Sequence, residues 1–130
     1  MNRLATRSVE RPERPEQRDV LSKAVVRSAE RLGLTGRELA ATLGLSPASV
    51  SRLMRGDYTL DPKHKSWELA TLLVRLVRGL DTITADDEQA ARAWFDHYNE
   101  HLQAVPREHV ASVEGLVDTL AYVDAFRARI

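Results

Sequence analysis

Glycines at positions 33, 44 and 56 cut the front of this chain into pieces that suit only short helices joined by tight turns. The stretch GLSPASVSRLMRG, Gly44 to Gly56, lies between two of them and opens on Ser46-Pro47. A serine hydroxyl accepts from a free amide of the first helical turn. A proline at the first helical position gives up an N–H that would have had no partner there. The pair predicts a helix from Pro47 to about Arg55, stopped at Gly56. Before it, Thr35 and Glu38 of TGRE form a capping-box pair, and Leu39, Ala40 and Leu43 give a second short helix an apolar face that ends at Gly44. Further upstream, Leu21, Ala24, Val25, Ser28 and Leu32 share one helical face, which starts at Asp19 and stops at Gly33.

The same rules carry through the rest of the chain. Asp61-Pro62 repeats the start signal and predicts a helix through Trp67, Ala70, Leu73, Val74 and Val77 to Arg78-Gly79. Leu69, Leu72, Leu76 and Leu80 make it apolar on a second side, so it must pack against two neighbours and serve as a spine. Thr84 is the expected cap of a fifth helix, ADDEQAARAWFDHYNEHLQ, with Ala91, Trp94, Phe95, Tyr98 and Leu102 as its stripe. Pro106 breaks that helix, and a last one from about Ser112 carries Val113, Leu116, Val117, Leu120 and Val123. No strand-like alternation appears, and the expected fold is all-α. Residues 1–18, with RSVERPERPEQR, have prolines and charges in place of periodicity and read as a disordered tail. The expected units are that tail, a helix-turn-helix bundle with its spine over 19–80, and a small helical domain over 81–130.

Two short helices crossing at a glycine turn resemble the helix-turn-helix of DNA-binding proteins. Ala40 is small enough for a close crossing, while Val50 and Leu53 point back into it. On a helical wheel Met54 joins that inward side, and Ala48, Arg52 and Arg55 fall opposite, flanked by Ser49 and Ser51. An α-helix fits the major groove, where arginine bonds guanine, serine bonds either base, and an alanine methyl touches thymine. Ala48, Ser49, Ser51 and Arg52 are the expected base readers. Arg37, the amide end of the helix at Ser46, and Arg55, Lys63 and Lys65 are the expected phosphate contacts. With only two arginines on the face, one copy would bind weakly, so a homodimer on two half-sites is implied.

Charge supports a divided molecule. Residues 1–66 hold 13 Lys and Arg against 8 Asp and Glu, net +5, whereas residues 67–130 hold 6 against 11, net −5. A basic front and an acidic rear are expected to face different partners, the first of them polyanionic. There is no cysteine, and no apolar run of signal-peptide or membrane-span length, so a cytoplasmic protein without membrane contact is expected. HYNEH, His97 to His101, matches the H-x-x-E-H order of some zinc peptidases, but His97 and His101 border the Trp94/Tyr98 stripe and no third ligand has metal-like spacing. With no other catalytic arrangement, neither enzyme activity, a metal nor a cofactor is expected.

RLGLTGRELAATLGLSPASVSRLMRG in front, the linking SWELATLLVRLVRGL, and Trp94, Asn99, Leu102, Pro106 and Gly115-Leu116 behind follow one another in an order that resembles the Xre/MbcA/ParS antitoxins, partners of RES-domain toxins. The likeness covers nearly all of residues 20–130. It departs at the end, where a longer charged helix replaces the usual proline-leucine stretch and terminal glycine. The resemblance implies a homodimeric type II antitoxin. Its rear domain would hold a NAD-consuming RES toxin inactive, and its front domain would bind operator DNA and repress its own operon. Tyr122, Phe126 and Ile130 of YVDAFRARI would supply apolar contact with the toxin, and Arg127 and Arg129 charge pairs. Two other readings stay open: a stand-alone dimeric repressor whose rear domain only dimerises or senses a ligand, and an interaction protein whose helix-turn-helix binds no DNA.

Overall fold

A computed structural model of the chain describes residues 15–129, and the expectations placed on residues 1–14 and on Ile130 fall outside the described residues. Among the described residues seven helices follow in order: α1 (Pro15–Leu32), α2 (Gly36–Leu43), α3 (Pro47–Arg55), α4 (Lys65–Ile83), α5 (Glu88–Asp96), α6 (Pro106–His109) and α7 (Val113–Arg127). The fold is all-helical, with the helix-turn-helix in front and a helical domain behind. α1 starts at Pro15, ahead of the expected Asp19, and so takes in residues assigned to the tail. Arg18 in this added turn reaches the carboxylate of Asp61 at 3.9 Å, a partner remote in sequence.

Local signals set the front helices. Thr35 accepts from the Glu38 amide while the Glu38 carboxylate accepts from the Thr35 amide, closing the capping box. Gly44 then turns the chain at φ 68°, a left-handed conformation in which a side chain is strained. Asp61-Pro62, by contrast, does not open the spine. The Asp61 carboxylate accepts from the Lys63 amide in a turn, and α4 begins only at Lys65. That amide, aided by the charges of Arg18, His64 and Lys63 against some desolvation, holds the Asp61 carboxyl below its ordinary value.

α4 is buried on two sides, as its double apolar pattern requires. One side packs on α1 and the other on α7, so a single continuous core joins front and rear. Gly79 does not end the helix, which runs through it to Ile83. The glycine is buried where α4 meets α7, and a Cβ there would lie 2.8 Å from Val123 Cγ1. It serves close approach rather than termination. Gly79→Ala is therefore expected to overpack this crossing and destabilise the fold by about 1–3 kcal/mol, read as a lower urea midpoint with an unchanged m-value.

The rear departs most from expectation. The Thr84 hydroxyl donates to the Leu80 carbonyl and finishes α4 instead of opening α5. Ala85 and Asp86 follow with positive φ, and Asp87 is the residue whose carboxylate caps α5. α5 stops at Asp96, well short of Gln103. Beyond it the Asn99 side chain accepts from the amides of His101 and Leu102, and Asn99 and Ala104 exchange backbone hydrogen bonds of 2.9 and 3.3 Å. Asparagine offers these amides a local alternative to the helix, which is why the pattern breaks here. Pro106, read as a breaker, opens the short α6. Gly115 sits where any Cβ would run into the carbonyl oxygen of His109, so the turn into α7 leaves room for glycine alone.

Candidate functional site

On α3, Val50 and Leu53 are buried in the crossing with α2. Met54 departs from its inward assignment: it is 36% exposed and lies at the rim. Ala48, Ser51, Arg52 and Arg55 are exposed and Ser49 is half-buried, so the expected reading face faces outward as one surface. Its polar groups hold one another. Ser46 Oγ accepts from the Ser49 amide at 3.1 Å and bonds Ser49 Oγ, to which Arg52 Nη2 donates at 3.4 Å. Arg55 donates from Nη1 to Ser51 Oγ at 2.9 Å and from Nε to Asp57 at 3.4 Å. Both guanidinium groups thus lie along the helix on exposed, exchangeable hydrogen bonds that a base edge or a phosphate can replace.

The other expected cations, Arg37, Lys63 and Lys65, are all exposed. Arg37 is exposed in the first turn of α2, beside the helix end whose free amides favour an anion. Lys63 is exposed in the turn before α4, and Lys65 pairs with Glu68 at 3.4 Å, both groups well exposed. A surface pair of this kind is weak and yields readily to a phosphate.

A second surface lies on α7. Tyr122 stacks with both Trp94, at 6.2 Å between ring centroids, and His101, at 5.5 Å, with Phe126 tilted against it at 6.4 Å. His101, Tyr122, Ala125, Phe126 and Arg129 line a shallow cavity of about 260 Å³. Tyr122, Phe126 and Arg129 are brought together as expected, but Arg127 is not among them. Its side chain lies against the backbone of Gly79, within 3.5 Å of where a Cβ would stand, on the side of α7 that packs on the spine. Sequence reasoning missed Trp94 and His101 as parts of this cluster. It also missed that Val113 and Val117, read as core, are exposed, Val117 by 49%. The available signal was that the apolar residues of α7, interleaved with Glu114, Asp118, Asp124 and Arg127, are spread over more of the helix than one buried face needs.

His97 and His101 do not share a helical face, because α5 has already ended. His97 Nδ1 lies 2.6 Å from the Ala93 carbonyl oxygen, and His101 is committed to the Tyr122 stack. Among the described residues no group of three or more His, Cys, Asp or Glu side chains could hold a metal ion, and no helix is long and apolar enough to cross a membrane.

Comparison with family models agrees with this two-part geometry. Residues 11–75 match the antitoxin Xre-like helix-turn-helix domain, and residues 79–129 match the antitoxin Xre/MbcA/ParS C-terminal toxin-binding domain. No curated protein matches the chain.

Proposed function

The chain belongs to the Xre-type antitoxins, and on that premise we propose that it neutralises a cognate RES-domain, NAD-consuming toxin through α7 and its aromatic neighbours, and represses its own operon through α3. A helix-turn-helix implies DNA as one partner and a toxin-binding domain implies a toxin as the other. The observation that carries the proposal is the separation of the two exposed surfaces. Ala48, Ser49, Ser51, Arg52 and Arg55 present hydrogen-bonding groups and charge on α3, while Tyr122, Phe126 and Arg129 present rings and a cation on α7. Polar fork donors suit base edges and phosphates; clustered aromatics suit the centre of a protein interface.

In this reading Arg37, the amide end of α3 at Ser46, Lys63 and Lys65 hold phosphates and fix the register, and two copies read two half-sites. The protein acts in the cytoplasm, by binding alone and without a cofactor. Arg127 steadies α7 against the spine rather than touching the toxin. Co-expression tests the proposal: the product of the adjacent gene should arrest growth when expressed alone, and this chain should restore growth and copurify with it. If no neighbouring product is toxic or none copurifies, the antitoxin role falls and a stand-alone repressor takes its place.

A further inference from the structure

A groove of about 340 Å³ runs between α1 and the C-terminal end of α3; Arg37 does not line it and lies instead in a separate cavity with Ala41 and Arg107. Val26, Leu53 and Met54 form its apolar floor, and Lys23 and Arg27 of α1 stand with Arg55 on its walls. Lys23 and Arg27 are exposed, and no ion pair of either is found among the described residues, although Asp19 and Glu30 lie one turn away on the same helix and also line the groove. Arg18, Arg31, Arg55, Arg75, Arg92 and Arg107 are all paired. Two cations that pass over carboxylates at helix-neighbour spacing, beside a helix that fits the major groove, form a distinct feature of the front half.

The dimensions of B-DNA give that feature a purpose. A helix about 10–12 Å across fills a major groove about 12 Å wide, so a phosphate strand runs along each of its flanks. In the role proposed above, Arg37 and the start of α3 hold one strand. We propose that Lys23 and Arg27, with Arg55 between them and the reading face, form a second phosphate-holding rim that grips the opposite strand of the same duplex. This rests on the DNA-binding role proposed above and enlarges its footprint onto α1. Among the side chains that line the groove, Lys23, Arg27 and Arg55 outnumber Asp19 and Glu30 by one, and Asp57, which pairs with Arg55, is not part of the lining.

The two residues should act on affinity without reading sequence, since phosphate contacts position and base contacts specify. Binding is measured by fluorescence anisotropy over a salt series, on a labelled duplex of random sequence and on one from upstream of the chain's own gene. Each of Lys23→Gln and Arg27→Gln is expected to reduce the slope of log K against log salt by about 0.9, equally on both duplexes. Arg78→Gln, which removes an exposed cation from beside Val20 and Ala24, on the face of α1 that does not line the groove, should leave the slope unchanged; thermal melting should show all three variants folded. If wild-type protein binds neither duplex, the DNA-binding role itself fails. If it binds and the Lys23 and Arg27 variants keep the wild-type slope, the second rim is overturned, as it is if Arg78→Gln lowers the slope equally.

Discussion

Arg107→Met is expected to destabilise the whole protein by about 2–4 kcal/mol, read by urea denaturation as a single transition at a lower midpoint. The reason lies at the end of α1. The last carbonyls of a helix have no intrahelical donor, and the end carries partial negative charge. Here the donors come from the rear. Arg92 donates to the Glu30 and Arg31 carbonyls at 2.7 and 2.9 Å, and Arg107 to those of Leu32 and Gly33 at 2.9 and 3.2 Å. The Arg107 guanidinium also bonds Asp96 at 2.8 Å and Glu38 at 2.7 Å, and lies 5.5 Å from the centre of the Phe95 ring. Its side chain is only 22% exposed, so the cost exceeds that of a surface pair while staying below that of a fully buried one. Removing the fork takes this donor from Asp96 and from the Leu32 and Gly33 carbonyls together, and leaves Glu38 with the Thr35 amide alone. Lysine should not rescue it, because a point charge cannot reproduce the planar fork. A loss under about 0.5 kcal/mol would mean these contacts contribute no more than an exposed ion pair does.

The second large effect is expected on DNA. Arg52→Ala with Arg55→Ala should weaken operator binding by about 2–4 kcal/mol, roughly thirtyfold to a thousandfold, with fold and toxin binding intact. Both side chains are exposed and bonded only to Ser49, Ser51 and the exposed Asp57, so truncation opens no cavity. Part of the loss should be specific: if Arg52 reads a base edge as proposed, its removal should relax preference at one position. In the proposed phosphate role, removal of Arg55 should lower affinity on every sequence. Titration of the double variant with upstream and random duplexes separates the two.

What the sequence makes legible here is what short-range chemistry decides. The Thr35/Glu38 box, the Ser46-Pro47 start and the turns at Gly33, Gly44 and Gly56 need only a few neighbouring residues, and all stand where the pattern places them. The errors occur where a distant partner or a competing local bond decides. Gly79 resembles a stop until Val123 arrives from α7. Thr84 and Asp87 are both competent caps, and the left-handed pair Ala85-Asp86 gives the role to Asp87. The stripe from Ala91 to Leu102 has helical spacing, yet Asn99 diverts the amides that would continue it. Arg107 carries no sequence mark of its partners, Glu38, Leu32 and Gly33, which lie far upstream. The outward face of α3 was legible because a helix with one buried side defines its other side; the Trp94–Tyr122–His101 stack was not, since it gathers three elements.

The central claim is that two separate surfaces of one chain hold two different partners. The most direct test is light scattering on the complex copurified with the neighbouring gene product, with and without a duplex from upstream of the operon. Wild-type protein should form a ternary complex. Arg52→Ala with Arg55→Ala should keep the toxin and lose the DNA, and Tyr122→Ala with Phe126→Ala should keep the DNA and lose the toxin. Release of both partners by either pair of substitutions, or of neither by both, would contradict the division.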